Sequence, residues 1–97
     1  MPAFVSLLNW TDQGIKNFRD TVHRADDFRS LVEKSGGSVR ELLWTVGDYD
    51  LVSVIETPDD ETATAVLLQV SALGNVRTRT MRAFNSDEMS AIIGRTG

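Results

Sequence analysis

The runs at residues 3–9 and 49–56 are apolar on both of the faces that a β-strand presents. Side chains of a strand point alternately to opposite sides. In the first run, Phe4 and Leu8 lie on one face and Val5 and Leu7 on the other. In the second run, Leu51 and Ile55 lie on one face and Val52 and Val54 on the other. Because both faces need cover, these strands are expected inside a sheet with a protein layer on each side.

Three segments carry apolar residues at helical spacing. The first extends from about Asp20 to Gly36-Gly37, the second has Thr57 as its predicted cap and ends at Gly74-Asn75, and a short third begins at Ser86. The side chains expected to face inward are Val22, Ala25, Phe28, Leu31 and Val32 in the first, Ala63, Val66, Leu67, Val70 and Leu73 in the second, and Met89, Ile92 and Ile93 in the third.

Residues 39–46 and 76–84 predict two further strands, and Gly47-Asp48 predicts a tight hairpin between the second and third strands. The order strand, helix, strand, strand, helix, strand is that of a ferredoxin-like βαββαβ sandwich. This is an α+β fold with an antiparallel four-stranded sheet, here with an extra C-terminal helix. No repeat or linker divides the chain, so we expect a single domain over residues 1–97.

Two helices cover only one face of a four-stranded sheet. The other face would expose an apolar patch of a size that monomers seldom show. A chain this short also buries only about 60–65% of its unfolded surface when it folds alone. We therefore expect a homodimer in which two sheet faces pack together, as in a dimeric α+β barrel.

Composition disfavours several classes of partner. The formal net charge of -4 opposes binding to the phosphate backbone of nucleic acids. Cysteine is absent, so no disulfide, thiolate nucleophile or cysteine-ligated metal is expected. No apolar run approaches a membrane span, and the first residues lack the basic leader of a signal peptide. We expect a cytoplasmic protein with no membrane or nucleic-acid partner.

The predicted hairpin brings together candidate ligand-binding residues. Trp44 offers an aromatic surface, Tyr49 a hydroxyl and Asp50 a carboxylate, while Gly47 would let a ligand approach the backbone. The alternative is structural, because glycine supplies a positive φ and aspartate bonds the local backbone to fix a turn. The sequence leaves both interpretations open.

Trp10 and Arg77 complete the hypothetical ligand-binding set. Trp10 lies at the end of the first strand, where a tryptophan lines a pocket for a planar ligand or anchors a core rim or interface. Arg77 and Arg79 emerge from one face of the last strand. Such a pair either holds a carboxylate or phosphate or forms salt bridges within the protein.

His23, Asp26 and Asp27 share one face of the first long helix, because they lie three and four residues apart. The set could surround a metal ion or pair a base with an orienting acid. A solvated polar helix face contains the same residue types, and metal sites normally use more nitrogen or sulfur ligands. We therefore predict no metal site and an exposed His23.

Three stretches, taken together, resemble the GYD domain family. They are residues 9–17 (Asn-Trp-Thr-Asp-Gln-Gly-Ile-Lys-Asn), 44–50 (Trp-Thr-Val-Gly-Asp-Tyr-Asp) and 73–80 (Leu-Gly-Asn-Val-Arg-Thr-Arg-Thr). The similarity extends from about Phe4 to the last helix. It implies the fold of the dimeric α+β barrel group and no particular activity.

Residues 47–51 and 74–80 are also similar to the effector-binding domain of leucine-responsive transcriptional regulators. Those domains share the βαββαβ arrangement and bind small amino acids between assembled subunits. The similarity implies ligand sensing. DNA binding is not expected, because the helix-turn-helix of those regulators is missing from this sequence.

The leading hypothesis is a non-catalytic, dimeric module that binds a small molecule or assembles with a partner, with any ligand pocket near the helix-covered side of the sheet. The alternative is an enzyme resembling the cofactor-independent monooxygenases or isomerases of the dimeric α+β barrel group. In that case His23 or Asp50 would be the base, and Trp44 and Tyr49 would shape the pocket. Neither hypothesis requires a cofactor.

Overall fold

The computed structural model describes residues 1–97 and contains the predicted order of elements. The strands are β1 (Ala3–Trp10), β2 (Ser38–Trp44), β3 (Leu51–Glu56) and β4 (Val76–Ala83). The helices are α1 (Asp12–Lys16), α2 (Thr21–Lys34), α3 (Asp60–Ala72) and α4 (Ser86–Gly94), with a short 3-10 turn at Phe18–Asp20. The strands form one antiparallel sheet in the order β2-β3-β1-β4, which confirms the ferredoxin-like α+β fold.

The two central strands, β1 and β3, alternate between a covered and an open side. Phe4 lies opposite Ile55 and both are buried, whereas the neighbouring pair Val5 and Val54 remains partly exposed. We call the side beneath α2 and α3 the inner face and the opposite side the outer face. The alternation that was expected from the sequence therefore holds, with helices covering one side only.

The hydrophobic core lies between the inner face and the two long helices. Val32 of α2 and Ala63 and Val66 of α3 pack against Phe4 and Ile55. The side chains at the margin of this cluster are Phe28, Leu31, Val39 and Val70. Burying one such aliphatic or aromatic side chain contributes about 1.5–3 kcal/mol, so these few contacts account for much of the helix–sheet attachment.

The cap of α3 is Asp59 and not Thr57, so the prediction for this helix start was wrong by two residues. The Asp59 carboxylate accepts a hydrogen bond from the Thr62 N–H at 2.7 Å. The hydroxyl and the N–H of Thr62 together hold the pKa of Asp59 below its usual value. Thr57 is buried, and its hydroxyl donates to the Asp59 carbonyl at 2.8 Å, so it is not free to cap the first helical residues.

The connection between β2 and β3 is a six-residue loop, residues 45–50, and the tight Gly47-Asp48 hairpin was a wrong prediction. Thr45 closes the loop. Its N–H donates to the Asp50 carbonyl at 2.9 Å, and its hydroxyl donates to the Tyr49 carbonyl at 2.5 Å. Gly47 does adopt a positive φ, of 131°. The Thr45–Asp50 bond continues the register of the Trp44–Leu51 pair by one residue, and the pairing of the two strands ends there.

The ends of α2 and α3 reach beyond the core. Val22 and Leu73 were expected to face inward, yet both are largely exposed. Contact of α2 with the core begins one turn later, at Ala25, and Leu73 follows the last residue of α3. None of the helices combines the length and the hydropathy that crossing a bilayer requires.

Helix α4 does not pack inward, contrary to the prediction for Met89, Ile92 and Ile93. It contains no buried residue, and Met89 and Ile93 are 47% and 57% exposed. The physical reason is that α2 and α3 already occupy the inner face. The radius of gyration of 14.5 Å and the extents of 51 × 30 × 18 Å reflect this extended shape, since about 12.5 Å is usual for a domain of this length.

Gly14 generates a stability prediction, because it is buried where α1 meets the turn after α3. A Cβ at this position would collide with the Asn75 backbone, including its carbonyl oxygen. Gly14→Ala should therefore lower the free energy of unfolding by about 1–3 kcal/mol. Gly94→Ala is the matched control, because no atom lies within 4 Å of the added Cβ. Urea unfolding followed by circular dichroism measures both, and equal stability of the two variants would contradict the prediction.

Candidate functional site

The three stretches 9–17, 44–50 and 73–80 meet at one end of the sheet, which we call the motif end. Trp10 at the end of β1 pairs with Val76 at the start of β4. Leu8 pairs with Leu51 at the start of β3, immediately after the 45–50 loop. Segments far apart in sequence are therefore neighbours because the sheet order places β1 between β3 and β4.

Asp50 attaches the 45–50 loop to β1. Its carboxylate Oδ2 accepts from the Trp10 N–H at 2.9 Å, and its own N–H donates to the Leu8 carbonyl at 2.9 Å. Beside it, Asn9 Nδ2 donates to the Asp48 carbonyl at 3.1 Å. The Asp50 carboxylate thus has a backbone partner within the chain.

Thr11 and Gln13 attach the β1–α1 junction to the turn before β4. The Thr11 N–H donates to the Asn75 carbonyl at 3.1 Å, and the Thr11 hydroxyl donates to the Gly74 carbonyl at 2.5 Å. Gln13 Nε2 donates to the Leu73 carbonyl at 3.0 Å and to Asn75 Oδ1 at 2.9 Å. The polar residues of the first and third stretches therefore bond mainly to each other.

A shallow recess of about 580 Å³ opens on the outer side of the motif end. Tyr49, Arg77 and Arg79 line it together with Leu7 and Asn9. Arg79 Nη1 donates to the Tyr49 hydroxyl at 3.5 Å, a long contact. Asp48 also lines the recess, which therefore brings two guanidinium groups, a phenol and one carboxylate to a single exposed surface.

A second recess, the inner cavity, lies between the inner face and helices α2 and α3 and has a volume of about 240 Å³. Ten of its fifteen lining residues are hydrophobic, and Trp10 is among them. The polar lining residues are Thr21, Arg24, Asp27, Ser53 and Asn75. The cavity exists because α2 and α3 contact each other only over a small area.

Trp44 and Gly47 are the remaining two residues of the predicted ligand-binding set. Trp44 Nε1 donates to the Thr21 hydroxyl at 2.9 Å, which holds the ring on the inner side. Gly47 lies in the exposed loop with open space around it. The two tryptophans thus lie on the inner side, whereas Tyr49 and Arg77 lie on the outer side. The structure distributes the six residues over two faces and the loop between them.

His23 lies outside both recesses. Its side chain is 79% exposed, and its Nε2 lies 3.6 Å from the Asp27 carboxylate one turn away. No three His, Asp or Glu side chains converge on a common point. His23 and Asp27 form a surface pair of the type that contributes little to stability.

Ser53 is a residue of interest that sequence reasoning missed. It is only 2% exposed, lines the inner cavity, and its hydroxyl has no hydrogen-bond partner. The signal was present in the alternation of β3, where Leu51 and Ile55 mark the buried side and Ser53 lies between them. A polar residue at a central buried position is the informative kind of exception.

Comparison with known proteins places this geometry in context. The model of the family described as the GYD domain matches residues 4–93. A protein of Thermus thermophilus is 30% identical over 84 residues, which cover 86% of this chain and 88% of that protein. That protein is named glutamine synthetase and cystathionine beta-lyase binding protein.

Two solved structures share the fold. A crystal structure of a Thermus thermophilus protein is 24% identical, with a TM-score of 0.57 over 89% of this chain and 96% of that one. The leucine response regulatory protein of Mycobacterium tuberculosis is 16% identical, with a TM-score of 0.57 over 88% of this chain and 51% of that one. At these identities the likeness supports the βαββαβ architecture alone.

The bonds of Asp50 generate the second prediction. Asp50→Ala should lower the free energy of unfolding by about 1–3 kcal/mol, because the part-buried Trp10 N–H loses its acceptor. Asp50→Asn retains an acceptor oxygen and should cost distinctly less. Tyr49→Phe, the control, removes only the long contact to Arg79 and should change stability by less than about 0.5 kcal/mol. Chemical denaturation distinguishes the three, and an Asp50→Ala protein as stable as the wild type would refute the structural role.

Proposed function

We propose that this chain, which belongs to the GYD domain family, is a non-catalytic binding module that forms a homodimer through its outer face and associates with an enzyme. The family membership and the relative's name support the binding role in general terms. The homodimer and the class of partner are the specific parts of the proposal.

The observation that carries the dimer is the apolar centre of the outer face. Both long helices lie on the inner face, and α4 makes no extensive contact with any other element. The apolar side chains left partly or largely exposed on the outer face are Val5 and Leu7 of β1, Leu43 of β2, Val52 and Val54 of β3, and Met81 of β4. Contiguous patches of this kind mark interaction surfaces.

The charges at the two edges of the outer face favour a second copy as the occupant. At the β4 edge, Arg77 and Arg79 point outward, in register with Asn9 and Leu7. At the β2 edge, Glu41 lies in register with Val54, and the neighbouring Arg40 is neutralised by Glu56 at 3.0 Å, so Glu41 is the unpaired charge there. A two-fold axis parallel to the strands would place β2 of one copy over β4 of the other, with Glu41 opposite Met81 and two residues along β4 from Arg79.

This arrangement generates the third prediction. Val5→Asp should convert the dimer to monomer or unfold it, because an unpaired carboxylate would be buried between the sheets. Leu68→Asp is the matched control, because Leu68 is an exposed residue of α3 away from the outer face. Light scattering coupled to size exclusion measures the mass. A wild-type mass of one chain at micromolar concentration would refute the dimer, as would an unchanged dimer in Val5→Asp.

The chemistry of the two recesses supports a non-catalytic role. A serine nucleophile requires an adjacent base, and the Ser53 hydroxyl has no partner at all. The only histidine is on the surface, and Asp50 bonds to backbone groups of β1. The inner cavity therefore offers complementarity of shape and polarity, which is sufficient for binding.

The relative from Thermus thermophilus motivates the fourth prediction. We expect the purified dimer to bind glutamine synthetase or cystathionine beta-lyase from its own source organism, measured by biolayer interferometry as saturable binding. An unrelated oligomeric enzyme of similar size is the control for non-specific adhesion. Absence of binding to both enzymes would refute the enzyme-binding role and leave the dimer untouched.

A further inference from the structure

The inner cavity contains one feature that packing alone leaves unexplained, the hydroxyl of Ser53. Ser53 lies on the central strand β3, between Leu42 of β2 and Ser6 of β1 in the sheet register. The Ser6 hydroxyl is satisfied, because it bonds to the Thr80 hydroxyl at 2.7 Å. Ser53 is about as deeply buried and lines the inner cavity, and its hydroxyl has no partner. A buried hydroxyl without a partner is unfavourable. A bound molecule that forms a hydrogen bond with the Ser53 hydroxyl would remove this cost.

The walls around Ser53 are apolar. Phe28 and Leu31 of α2, Val70 of α3 and Trp10 at the end of β1 line the same cavity. Charged groups lie among the lining residues only on α2, where Arg24 Nη2 donates to the Gly14 carbonyl at 3.2 Å and Asp27 is largely exposed. The cavity thus has an apolar interior and a single hydroxyl on the sheet side. An ion beside Ser53 would lose its water and gain one neutral partner on the sheet side, so this part of the cavity favours uncharged molecules.

We propose that the inner cavity is a binding site for a small, neutral, mostly apolar molecule of monocyclic size, which forms one hydrogen bond with the Ser53 hydroxyl. The volume of about 240 Å³ exceeds the cavity of about 150 Å³ that is known to accept benzene in another protein. A serine hydroxyl both donates and accepts, so the polar group of the ligand is a hydroxyl or a carbonyl. The site lies on the side of the sheet opposite the proposed dimer interface and goes beyond the proposed function.

The test compares two probes of nearly equal shape, p-cresol and toluene, on the full-length protein and its Ser53→Ala variant. NMR chemical-shift titration gives the dissociation constants. In the wild type both probes should bind saturably. Ser53→Ala should weaken p-cresol about 3- to 10-fold, because one hydrogen bond is lost, and should leave toluene unchanged or tighter. The effect of Ser53→Ala on the affinity for p-cresol, less its effect on the affinity for toluene, gives the contribution of the hydrogen bond.

The stability of the variants must also be measured, so that a loss of binding is not confused with unfolding. Ser53→Ala should be at least as stable as the wild type, because it removes an unpaired buried hydroxyl and adds no cavity. Val70→Phe should fill the space and abolish the binding of both probes. If Val70→Phe does not fold, Leu42→Phe serves the same purpose from the sheet side.

Three results would overturn the site. They are no saturable binding of either probe to the wild type, an equal affinity of p-cresol for the wild type and Ser53→Ala, or undiminished binding to a folded filled variant. Light scattering on each sample gives its oligomeric state, so failure of the cavity site can be distinguished from failure of the proposed dimer. A monomeric wild type that binds p-cresol through Ser53 would remove the proposed interface and retain the cavity site.

Discussion

The close backbone contact between Gly14 and Asn75 is the constraint on which the arrangement of this protein depends. The contact requires a residue without a Cβ, and it is held in place by a hydrogen bond of 3.1 Å from the Thr11 N–H to the Asn75 carbonyl. Because β1 is a central strand, this contact fixes the direction in which the chain leaves the sheet toward α2. With α2 and α3 on one side of the sheet, the outer face is left uncovered, and the small area over which the two helices meet leaves room for the inner cavity.

The two faces of the sheet have different chemistry, although the central strands are apolar on both. The inner face includes a polar row of Ser53, Ser6 and Thr80 across β3, β1 and β4 beneath the helices. Two members of the row satisfy each other. The outer face is apolar at its centre and charged at its edges. A buried row with one unmatched hydroxyl suits a small polar group, whereas a broad apolar centre with charged edges suits a second protein surface.

Local periodicity predicted most of the fold, because strand alternation and helix spacing depend on which side chains are buried. The predictions failed where an interaction distant in sequence decided the outcome. The Gly47-Asp48 hairpin was wrong because Asp50 bonds to β1 and Thr45 bonds within the loop. The inward face of α4 was wrong because spacing identifies an apolar stripe and not the surface that covers it. Ser53 was overlooked because a lone serine in an apolar strand has no motif around it.

The motif end explains why resemblance to a family gave the architecture more readily than the function. Its recognisable residues bond to one another and to backbone, as Thr11, Gln13 and Asp50 do. Substitution of these residues by side chains without the same hydrogen-bonding groups would weaken the junction between β1, β4 and the 45–50 loop. The rest of the two faces imposes a weaker requirement, because several apolar residues serve equally well in an interface or a cavity wall. What this chain binds must therefore be sought in the residues that line the faces, which include Trp10, Asn75 and Val76 of the motif stretches.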